Sequence, residues 1–115
     1  MSDLATKQHL FTRLVARLID HATSLGYELS LGEVYRPPET AALYAKQGIG
    51  IANSLHCSRL AVDLNVWKDG TYSLDIVPYR ALGMFWLSLD PLCAWGGQFT
   101  HPDPNHYSIR YEGRA

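Results

Sequence analysis

The spacing of apolar residues changes several times along the chain, and this limits the folds it can adopt. Phe11, Leu14, Val15, Leu18, Ala22 and Leu25 recur at steps of three and four. That spacing predicts a helix with one buried stripe, stopped by Gly26. From Tyr27 to Tyr35, Leu29, Leu31 and Val34 lie among polar residues, as in a half-buried strand, with Gly32 marking a bulge or a bend. Pro37 and Pro38 suit the first turn of a second helix, which Glu39 to Gln47 continues and Gly48 closes. Residues 48–54 have no period and read as a loop. Leu60 to Trp67 is rich in β-formers, and Lys68-Asp69-Gly70 with Thr71-Tyr72 completes a hairpin. Pro78 to Leu89 places Leu82, Phe85, Trp86 and Leu89 on one helical face before Asp90-Pro91 ends it. Short strands follow at Cys93–Trp95 and His106–Tyr111, with a loop between them. Helices and strands that do not alternate strictly predict an α+β domain, a small antiparallel sheet with helices packed against it.

The chain has 115 residues, the length of one domain with one core, so residues 1–115 are read as a single unit. A hydrophobic fraction of 47% and a charged fraction of 18% exclude a disordered chain, and a net charge of -1 gives no general attraction for nucleic acid. No apolar run reaches the length of a bilayer span and no signal-peptide pattern opens the chain, so a cytoplasmic start without membrane insertion is expected. A monomer is expected. Cys57 and Cys93 are too few for a disulfide scaffold and read as ordinary half-buried thiols. Trp67, Trp86 and Trp95 lack interleaved basic residues and are expected in the core or the wall of a pocket.

The chemistry-bearing residues fall in three stretches. These are Ser54-Leu55-His56-Cys57-Ser58-Arg59-Leu60-Ala61-Val62-Asp63, Trp95-Gly96-Gly97, and Asp103-Pro104-Asn105-His106. Zinc takes nitrogen, sulfur or carboxylate oxygen donors, and a catalytic zinc has three protein ligands and one open position. Two histidines and an aspartate satisfy that count. Any one of them alone reads equally as structural: a lone histidine as a surface or hydrogen-bonded group, Asp103 as a turn cap, Arg36 as half of a surface salt bridge.

Together the three stretches resemble the zinc D,D-peptidase family, which includes vancomycin-resistance D-Ala-D-Ala carboxypeptidases and phage L-alanyl-D-glutamate endolysins, with a fold shared with hedgehog domains. The shared pattern is Ser-x-His, a turn, Ala-x-Asp, and later Gly-Gly leading to an acidic residue, two more residues and His. The resemblance spans about residues 28 to 110. It implies that His56, Asp63 and His106 ligate zinc and that Asp103 is the general base. It also implies that Arg36, within Gly32-Glu33-Val34-Tyr35-Arg36, contacts substrate and assists catalysis. Ser54 is expected to orient its loop or contact substrate, and His101 matches no ligand position. Many relatives have glycine three positions after the first histidine, where this chain has Arg59. The implied substrate is the peptidoglycan stem peptide. The leading reading is cleavage of the L-Ala–D-Glu bond by a phage-type endolysin that reaches the wall after release across the membrane. A D-Ala-D-Ala carboxypeptidase, often exported in this family, and a non-catalytic cell-wall-peptide binding module are the alternatives.

Overall fold

The computed structural model describes residues 2–115. Helix α1 covers Asp3–Ser24 and opens on the Ser2 hydroxyl, which accepts the Ala5 N–H at 3.1 Å. Its stripe of Phe11, Leu14, Leu18 and Ala22 is buried, as its spacing requires. Strand β1 is Glu28–Leu31, helix α2 Pro38–Lys46, strand β2 Ala61–Lys68 and strand β3 Thr71–Tyr72. Helix α3 is Ile76–Leu89, strand β4 Cys93–Trp95 and strand β5 His106–Ile109. All strand pairs are antiparallel, in the order β1-β2-β5-β4, with β3 also on β2. The α+β expectation holds.

The boundaries differ where local features outweigh periodicity. β1 ends at Leu31, four residues before the expected Tyr35, because Gly32 lies against Asp63, where an added Cβ would sit 3.0 Å from the Asp63 Cβ. The chain bends there while keeping two bonds to β2, Gly32 N–H to the Asp63 carbonyl at 2.7 Å and Asp63 N–H to the Glu33 carbonyl at 2.9 Å. α3 begins at Ile76, two residues ahead of Pro78, because the Asp75 carboxylate caps it by accepting the Val77 N–H. β5 stops at Ile109, since Tyr111 and Arg114 pair across their own tight turn. The loop towards His56 contains a 3₁₀ turn, Leu55–Ser58.

β2 shows how the sheet divides the molecule. Val62, Leu64 and Val66 are buried on one face, where α1 and α3 pack. Asp63, Asn65 and Trp67 alternate onto the other face. Trp86 centres the core, with Phe11 edge-on at 5.8 Å and Tyr107 at 6.2 Å. Its indole N–H is shared between the carbonyls of Ala94 and Ser108, both at 3.0 Å, so a polar atom is satisfied at full burial. Trp95 is buried as expected, whereas Trp67 stands 37% exposed on the opposite face. Cys57 and Cys93 are unpaired, and burial pushes the Cys93 thiol up to about 12, which leaves it inert. No helix among the described residues is long and apolar enough to cross a membrane.

Candidate metal centre

His56, Asp63 and His106 come from three different local structures and converge on the face of the sheet opposite the core. Asp63 and His106 are direct cross-strand partners on β2 and β5, so the pairing register alone sets their side chains next to each other. His56 arrives from the 3₁₀ turn. Ser54 starts that turn by accepting the His56 N–H at 3.1 Å through its hydroxyl, and Arg59 ends it in a left-handed conformation, φ 55° and ψ 38°. Glycine adopts that conformation without strain, which gives a physical reason for glycine at this position in the resembling family. Here the guanidinium of Arg59 stacks 3.9 Å over the Tyr35 ring and holds the turn in the same form.

One donor atom from each of the three residues lies within 4.8 Å of the others. His56 Nε2 is 3.3 Å and His106 Nδ1 3.6 Å from Asp63 Oδ1. The other nitrogen of His56, Nδ1, stands 3.3 Å from the Val34 carbonyl, which fixes it as the N–H and leaves Nε2 with its lone pair towards the centre. Asp63 Oδ1 is buried and makes no hydrogen bond. An imidazole lone pair facing a buried carboxylate oxygen requires a proton or a cation between them. The donor set of two nitrogens and one carboxylate, with room for a further ligand, fits zinc.

The same geometry governs the protonation of the centre. Burial pulls the His56 pKa down, but the adjacent Asp63 carboxylate, with the Val34 carbonyl and Glu33, outweighs it and leaves it raised. Burial alone would raise Asp63, yet the two histidines bring it down to about 2. Asp103 is raised, first by burial and then by the charge of Asp63, against the opposing pull of His106, His56 and Arg36. Its carboxylate is therefore electrostatically part of the centre.

A cleft of about 910 Å³ opens above the three donors, and Arg36, Ser54, Asp103 and His101 also line it. Every residue that the sequence marked for the site therefore borders one cavity, and so does His101. Arg36 is anchored twice. Its backbone N–H donates to the His56 carbonyl at 3.1 Å, and its guanidinium pairs with Glu33 beside the Tyr44 ring. Sequence reasoning passed over Glu33, whose Oε1 also lies 3.8 Å from His56 Nδ1. Its position three residues before Arg36 was the available signal.

The Gly-Gly segment has a packing explanation. Asp103 N–H donates to the Gly96 carbonyl at 2.9 Å and His106 N–H to the Asp103 carbonyl at 3.0 Å, which fold the acidic residue back beside His106. A Cβ on Gly96 would overlap the Asp103 carbonyl and come within 2.9 Å of the His106 Cβ. Trp95 closes the same loop by donating its indole N–H to the Pro104 carbonyl at 2.7 Å. Gly96→Ala is accordingly expected to lose about 1–3 kcal/mol of stability through overpacking and to weaken metal binding, as read by urea unfolding and metal titration.

No protein-family model and no curated protein matches the chain. Among solved structures it is similar to the L-Ala D-Glu endopeptidase ChiX of Serratia marcescens, with a TM-score of 0.66 and 22% identity, covering 86% of this chain and 79% of ChiX. The chain has the fold of that endopeptidase.

Proposed function

We propose that this chain is a zinc-dependent peptidase of bacterial peptidoglycan that cuts the stem peptide between L-Ala and D-Glu. The convergence of His56, Asp63 and His106 on the floor of a cleft that Asp103 and Arg36 also line carries the reading. The fold shared with ChiX supports the bond assigned. His56, Asp63 and His106 would hold the ion. Zinc in such a site supplies a Lewis acid that polarises the scissile carbonyl and lets water ionise near neutral pH.

The protein's own groups do the rest. Asp103 takes the proton of the attacking water and passes it to the leaving amine, a role suited to a carboxyl raised towards neutrality. Arg36, held rigid by Glu33 and the His56 backbone, offers a planar fork of donors to a substrate carboxylate and to the developing oxyanion. Ser54 positions His56, and its hydroxyl hydrogen remains to donate to substrate. Glu33 acts through the groups it touches and is a positioning residue.

One equivalent of zinc is expected in active protein, with activity lost on chelation and restored by zinc. Mass spectrometry of digested peptidoglycan should show new N-terminal D-Glu. Release of terminal D-Ala instead would assign a carboxypeptidase, and metal-free active protein would refute zinc dependence. The endolysin role predicts lysis of cells when the protein is given access to the wall.

A further inference from the structure

The sheet face that carries Asp63 continues past the three donors. Beyond Asp63 the same face of β2 carries Asn65 and then Trp67, at about 7 and 13 Å along the strand by its rise per residue. In register beside them stand Ser30, opposite Asn65, and Glu28 and Tyr72, both opposite Trp67. The side chains are ordered by contacts among themselves. Trp67 Nε1–H donates to Ser30 Oγ at 2.9 Å, Asn105 Nδ2–H to Asn65 Oδ1 at 3.4 Å, and the Trp67 and Tyr72 rings meet at 5.4 Å and 65°. Trp67 and Tyr72 nonetheless remain 37% and 41% exposed. Amides and a hydroxyl leading to an aromatic corner make a surface matched to a neutral, hydroxyl-rich ligand with an apolar C–H face, which is the chemistry of a sugar ring.

The direction of the chain places this surface relative to Arg36. β1 runs from Glu28, beside Trp67, to Gly32 and Glu33, bonded to Asp63, and continues to Arg36 at the His56 backbone. The cationic Arg36 and the aromatic corner thus lie on opposite sides of the metal centre. A stem peptide cut after L-Ala has the same polarity: acidic D-Glu on one side of the scissile bond, and on the other one alanine and a lactyl ether leading to a sugar. Those two links span about 7 Å when extended, the distance from Asp63 to Asn65.

We propose that Asn65, Ser30, Trp67 and Tyr72 form a subsite for the N-acetylmuramoyl sugar that bears the stem peptide. This rests on the peptidase reading above and names the part of the substrate that reading leaves open. Glycan-linked stems would then be preferred over stems already released from glycan.

The test compares kcat/KM for N-acetylmuramoyl-bearing stem peptide and for the identical sugar-free peptide. The native protein should prefer the first by about tenfold, mainly through KM, the value of one stacked ring and its hydrogen bonds. Trp67→Ala and, independently, Asn65→Ala should reduce that preference to below about threefold, and Asn65→Ala decides if Trp67→Ala does not fold. A native protein indifferent to the sugar, or a preference that survives both substitutions, overturns the subsite and leaves the peptidase standing. If the native protein cleaves neither substrate, the peptidase reading falls and the subsite falls with it.

Discussion

Asp103→Asn should retain one zinc per chain and the native melting profile while kcat falls by about 10² to 10⁴. The substitution keeps the shape of the side chain and its turn, whose hydrogen bonds run through the Asp103 backbone rather than the carboxylate. What it removes is one of the two acidic side chains, with Asp63, that line the cleft among the described residues, and with it the proposed acceptor for the proton of water. Because burial and the charge of Asp63 raise the Asp103 pKa, the acidic limb of the native pH–rate profile is assigned to this group. Residual activity of the variant should lack that limb. Near-native turnover, or loss of zinc, would show that Asp103 is structural or a ligand.

Asp63→Ala should behave in the opposite way and release the metal. In the proposed site the carboxylate would be one of three ligands and the one among them with negative charge to balance the ion, so zinc affinity should drop by more than about 100-fold, the upper range for losing an outer-shell partner alone. His56→Ala and His106→Ala should follow the same pattern. With zinc held as proposed, a concentration of about 1,000 times its Kd should add about 4 kcal/mol to the unfolding stability of the native protein, and none of the three variants should gain it. The chelated protein offers an independent check on Asp63. A carboxyl with a native pKa of about 2 stabilises the fold above the ordinary carboxylate pKa and loses that contribution as pH falls towards 2. Asp63→Asn should flatten this part of the stability–pH curve. Zinc retained at native affinity in Asp63→Ala would overturn the ligand assignment.

The site is built so that each group is set by a different kind of constraint. Strand register fixes Asp63 against His106, a capped 3₁₀ turn fixes His56, and a glycine-dependent close approach fixes Asp103. Register is rigid because slipping by one residue would turn Val62, Leu64 and Val66 towards water. The histidine on the turn is more easily perturbed, and Ser54, Arg59 and the Val34 carbonyl all act on it.

By itself the sequence determined the kinds of element, because apolar periodicity reports which face of a local segment must leave water. It also singled out residues that lie around one cleft. Arg36, His56, Asp63, Asp103 and His106 were legible through the family pattern they resemble, and the structure brings all of them to one cleft. Only the tertiary structure decided where elements end and what the intervening residues do. β1 stops early because of the Gly32–Asp63 approach, a contact between residues 31 positions apart that no local period contains. Glu33 gains its role only when the bend beside β2 places it against Arg36 and His56. Arg59 fills a left-handed position because Tyr35, distant in sequence, lies beneath its guanidinium. Trp67, expected in a core or pocket wall, stands 37% exposed because strand pleat and pairing send it to the face turned away from the core, a choice made by long-range packing rather than by residue type.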